Sequence, residues 1–83
     1  MKEISLDLIP VIEMYRETKD TDFWHTLPHP DYSHGVDVHF LENEDARGVF
    51  EIAAYPCYEH RGSIYTDVTT LLMSKRIDMQ ETA

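Results

Sequence analysis

Near the N-terminus the apolar positions recur at helical steps. Leu8, Ile9, Ile12, Met14 and Tyr15 stand three and four apart between Leu6 and Thr18, a spacing that gathers side chains on one side of a helix. With Asp7 as N-cap, Pro10 falls at the third helical position, where its missing N–H has no intrahelical acceptor to serve. A competing pattern is the alternation of Ile4, Leu6 and Leu8, which makes Glu3 to Leu8 a strand and shortens the helix.

From Gly35 the period changes to two. Val36, Val38 and Phe40 point one way and Asp37, His39 and Leu41 the other. Polar turn residues follow from Glu42 to Gly48, and then Phe50, Ile52 and Ala54 alternate with Val49, Glu51 and Ala53 as far as Pro56. These two runs predict a hairpin. A second turn at Glu59-His60-Arg61-Gly62 leads into Ser63 to Thr70, where Ile64, Thr66 and Val68 alternate with Tyr65, Asp67 and Thr69.

The stretch from Asp20 to Ser33, or about residues 20–35, reads as a loop because Pro28 and Pro30 stand among Asp, Thr and Ser, with Phe23 and Trp24 as anchors. Loops longer than about 12 residues without structure of their own are usually functional or disordered, so this segment is a candidate for binding. The polar tail, residues 74–83, fits a short C-terminal helix, an edge strand or a frayed end equally well.

The expected architecture is one α+β domain over residues 1–83, with the N-terminal helix packed on a three-stranded antiparallel meander in the order α-β-β-β. Its core face is Val36, Val38, Phe40, Phe50, Ile52, Ala54, Ile64 and Val68. Asp37, His39, Glu51, Tyr65 and Asp67 then share the uncovered face, a set that a register slip of one residue would exchange with the core.

Composition fixes the scale of this domain. Eighty-three residues, 42% hydrophobic and 28% charged, make a folded chain rather than a disordered tail. A domain of this size buries only about 60% of the surface its unfolded chain exposes, which makes a partner or a second copy a useful source of stability. Sixteen acidic residues oppose seven basic ones, for a net charge of −9. The excess is central: nine carboxylates lie between Asp20 and Glu59 with only Arg47 against them, a net −8. Such a chain repels polyanions, which argues against direct nucleic-acid binding and for a basic protein surface as partner. The single Cys57 closes no internal disulfide, and neither an apolar leader nor a membrane-length run is present in the sequence. The expectation is a cytoplasmic protein with no membrane association.

Three kinds of chemistry compete for these residues. Asp37, Glu51 and Asp67 on the sheet, continued by Glu42, Glu44 and Asp45 in the hairpin turn, can imitate a row of phosphates. Trp24, Tyr58 and Tyr65 supply aromatic anchors beside them. The bland counterpart is a solvated face whose charges discourage aggregation. Secondly, His39 with Asp37, and His34 in the proline-rich segment, are candidates for a transition-metal site, although no motif of ligand spacing accompanies them. Thirdly, Cys57 or Ser33 near a histidine has the elements of a nucleophile, yet with three glycines the chain has no glycine-rich loop or nucleophile elbow. No catalytic residue and no cofactor is assigned.

In size, charge and lack of catalytic motifs the chain resembles phage and mobile-element inhibitors, anti-CRISPR proteins and toxin-immunity proteins as broad groups. That resemblance implies a non-catalytic protein that docks on a basic surface of a nucleic-acid-processing partner and inhibits or regulates it. The alternatives are a His/carboxylate metal-binding domain or small metal-dependent hydrolase, and a homodimer or structural subunit formed through an uncovered strand edge.

Overall fold

A computed structural model describes residues 4–79. Helix α1 spans Ile9–Thr18 and starts later than the apolar spacing predicts. Asp7 does serve its start, but from one position further out: its Oδ1 accepts the Ile9 N–H at 3.1 Å, while Leu8 occupies the N-cap and its carbonyl accepts from Val11 and Ile12. Pro10 lies in the first turn, where a missing N–H costs nothing. Lys19, at φ 58°, ends the helix in the left-handed conformation and donates its N–H to the Tyr15 carbonyl. The rival strand is not formed in residues 4–8; Glu3 lies outside the described residues. Ile4 and Leu6 pack against the core instead.

Five antiparallel strands replace the expected three: β1 (Asp22–His29), β2 (Tyr32–Glu42), β3 (Val49–His60), β4 (Ser63–Thr66) and β5 (Met73–Asp78). They run in the order β1-β2-β3-β4, with β5 also paired to β3. The segment read as a long loop is therefore β1, a two-residue turn at Pro30 and Asp31, and the start of β2. Its alternation was hidden by two prolines. Pro28 is tolerated because β1 is an edge strand, and it coincides with a register shift between Leu27 and His29. Residues 74–78 take the edge-strand alternative, in β5; residues 80–83 of the polar tail lie outside the described residues.

The third predicted strand stops at Thr66 rather than Thr70. Leu72 donates to the Ala54 carbonyl and Asp67 to the Pro56 carbonyl. Two carbonyls two residues apart in a strand point to the same side, so β4 and β5 flank one edge of β3 and residues 67–72 bulge between them.

The helix covers the other half of the story. Phe40, Phe50, Ile52, Val11, Val36 and Val38 are almost completely enclosed between α1 and the sheet, each contributing about 1.5–3 kcal/mol by leaving water. Tyr15 reaches down from the helix onto Phe40 and Phe50, with ring centroids 5.5 and 4.6 Å away. Ile64 and Val68 do not join this core: they are 53% and 60% exposed, Ile64 because its pairing with Glu59 turns it to the face away from the helix, and Val68 because it lies in the turn beyond the end of β4. Gly35 stands next to the end of the β2–β3 pairing. Its φ is 84°, and a Cβ there would stand 2.9 Å from the Leu27 carbonyl oxygen, so β1 closes tightly on β2 just where β2 stops pairing with β3, at Val36–Pro56.

Candidate functional site

The face of the sheet away from α1 is uncovered, and the strand register arranges it in rows. Asp22, Leu41, Glu51 and Arg76 cross the sheet in one row; Trp24, His39, Ala53 and Ser74 form the next; Thr26, Asp37 and Tyr55 the third. Carboxylates from three strands thus share a face, but the strands are β1, β2 and β3. The expectation that Asp67 and Tyr65 stand beside Asp37 and Glu51 is corrected here. Tyr65 pairs with Tyr58 in the opposite parity, and Asp67 lies beyond the end of β4.

Each of the three carboxylates has partners. Asp22 Oδ1 is 2.7 Å from His39 Nε2, and Glu51 Oε1 accepts from Arg76 at 3.2 Å. Both are exposed pairs of small net worth, so a competing cation can exchange into them at little cost. Asp37 is different. It accepts the hydroxyls of Thr26 on β1 and Thr66 on β4, and it contacts the Cys57 thiol on β3. Burial pushes its carboxyl up, but these donors outweigh burial and leave it below the ordinary carboxylate range. It ties four strands together.

Trp24 is the most prominent side chain of this face. It is 48% exposed, and its indole stacks on the His39 ring at 4.4 Å and 9°. Trp24 faces outward because it alternates with Phe23 and His25, and Phe23 takes the inward place against Phe40. Next to the Asp22–Glu51 row lies the β2–β3 turn. There Glu42 accepts the Gly48 N–H at 2.9 Å, Asn43 accepts from Asp45, and Glu44 and Asp45 remain exposed. Asp67 is occupied by the hydroxyls of Thr69 and Thr70, which hold its carboxyl below the ordinary value. Tyr58 and Tyr65 stack on each other at 5.7 Å on the projecting ribbon.

The histidine candidates separate. His39 is joined to Asp22 and Trp24, Asp37 to hydroxyls, and His34 is exposed in β2 away from both. Among the described residues no three His, Cys, Asp or Glu side chains converge as metal ligands. Burial, then the hydrogen bond and charge of Asp37, push the Cys57 thiol up to about 11. That is opposite to the shift that activates a thiolate nucleophile. Ser33 is exposed near the start of β2. Among the described residues no helix is long and apolar enough to cross a membrane.

Sequence reasoning missed Asp22, Thr26 and Arg76. The first two belong to the proline-rich segment, whose alternation of Phe23, His25 and Leu27 with Trp24 and Thr26 was the available signal. Arg76 carried none until its strand was placed. Comparisons of the chain with protein-family models, with curated proteins and with solved structures give no match.

Proposed function

We propose that this domain is a non-catalytic binding protein that docks on a basic surface of a protein partner and inhibits or regulates it, the partner being a nucleic-acid-processing protein. The observation that carries this reading is the meeting, at one end of the open face, of Asp22 and Glu51 with the Glu42, Glu44 and Asp45 turn, one row from the exposed Trp24. The central net charge of −8 steers a basic surface towards this end, in a salt-dependent way. On contact, Arg and Lys of the partner take the place of Arg76 beside Glu51 and of the His39 ring beside Asp22, and Trp24 offers a cation–π or apolar anchor. Asp37 supports the sheet beneath, because binding through it would mean giving up three internal bonds. A DNA-mimic, phage-inhibitor or anti-CRISPR-like role is the form of this function that fits the charge.

The test is retention from host lysate on tagged protein, with identification of what is held. A basic nucleic-acid-binding protein held at low salt, released by high salt and lost with D22K/E51K supports the reading. Retention unaffected by these reversals overturns it.

A further inference from the structure

Among the described residues the outer edges of β1, β5 and β4 face solvent, and the first two are blunted. The outer edge of β1 carries Pro28, and β5 carries Lys75 and Arg76, devices that discourage pairing with another chain. The outer edge of β4 carries neither. It reads Ser63-Ile64-Tyr65-Thr66, uncharged and rich in strand-forming residues, with Ile64 53% and Tyr65 46% exposed. The turn before it, with Arg61 at φ 52° and Gly62 at φ 81°, is the two-residue type whose closing pair, His60 and Ser63, is hydrogen-bonded. Hydrogen-bonded pairs alternate along an antiparallel ladder, so Tyr65 bonds inward to Tyr58 while the backbone groups of Ile64 and Thr66 point outward. Among the described residues no strand lies against them.

We infer that this edge pairs with the β4 edge of a second copy of the chain, antiparallel about a two-fold axis at Tyr65. That register sets Ile64 of each copy opposite Thr66 of the other, and satisfies the outward backbone groups of both residues in both chains. It continues the Tyr58–Tyr65 stack across the axis as a row of four tyrosines. Charge selects a second copy over an arbitrary strand. Arg61 precedes β4 and Asp67 follows it, so antiparallel self-pairing sets the cation of each chain diagonally across from the carboxylate of the other. The inference is independent of docking through the open face, and the two respond oppositely to salt: two chains of net charge −9 repel at long range, so salt strengthens the dimer and weakens binding to a basic partner.

Sedimentation of the purified chain at increasing concentration, in low and high salt, tests the pairing. The expected mass rises from 9.7 kDa towards twice that value, at lower protein concentration when salt is raised. Ile64→Pro, which removes an outward N–H and leaves the β3 bonds in place, weakens association by about tenfold or more. Tyr65→Lys and Tyr65→Glu are each monomeric, and their mixture dimerises, because the same residue faces itself across the axis. Circular dichroism checks that each variant is folded. A monomer at every concentration and salt, a dimer indifferent to Ile64→Pro, or no rescue in the mixture overturns the inference.

Discussion

The two halves of β3 lead different lives. From Val49 to Ala54 the strand has β2 on one side, β5 on the other and α1 over one face, and Phe50, Ile52 and Ala54 are buried to within 1%. From Cys57 to His60 it has only β4, and Tyr58 is 47% exposed. Side chains alternate between the two faces along both halves, but alternation of burial ends at Ala54, and Tyr58, Glu59 and His60 are all exposed. The difference teaches that alternation marks a strand, whereas burial depends on what else arrives to cover it. Asp37 stands at the junction, bonded through Thr26 and Thr66 to the strands on either side.

Removing the cover from the first half has the largest expected effect. Phe50→Ala empties the space beneath Tyr15 and Phe40, and is expected to cost about 3–5 kcal/mol, read by denaturant melting. The equivalent truncation in the second half, Tyr58→Ala, costs about 1 kcal/mol or less; similar losses at both positions would end the distinction between the halves.

Gly35→Ala attacks the point where the halves part. A side chain at φ 84°, 2.9 Å from the Leu27 oxygen, is expected to cost roughly 1–3 kcal/mol. Amide exchange should quicken first in the β1–β2 hairpin, and an unchanged melting curve would show that the bend tolerates a side chain.

Asp37→Asn loosens the junction itself, by on the order of 1 kcal/mol, since the carboxylate is partly in water. Its effect depends on pH. A carboxyl held below its ordinary value of 3.8 when folded adds stability above that pH, and this is lost as pH falls through the lower folded value. The wild type should therefore lose stability more steeply than Asp37→Asn below about pH 4. The same substitution removes a negative charge from beside Cys57, whose thiol stands near 11, so alkylation of Cys57 at neutral pH should quicken. An unaltered alkylation rate would mean that burial alone protects the thiol.

The smallest change is expected at Arg76→Ala, which opens an exposed pair with Glu51 and should shift stability by no more than about 0.5 kcal/mol. A larger loss, measured in the same melts, would make the open face a contributor to stability as well as a surface.

Much of this architecture was legible along the chain. The helix, the β2–β3 hairpin with its six core residues, and the turn at Arg61-Gly62 follow from period and turn chemistry, which act between near neighbours. On the candidate site, the placing of Asp37, His39 and Glu51 on one face was legible for the same reason, since neighbouring strands were read in the correct parity. The row that holds Trp24 was not legible, because two prolines make its strand read as a loop.

By itself, then, the sequence determined the acidic charge, the α+β character and the parity of β2 and β3, because these depend on composition and on contacts a few residues apart. Only the tertiary structure decided that β5 would share β3 with β4, that Asp67 would stay in a turn, and that Ile64, Tyr65 and Val68 would be left outside the helix. Those outcomes rest on which distant segments reach the two edges of β3 and how far a ten-residue helix extends. No local pattern encodes that reach.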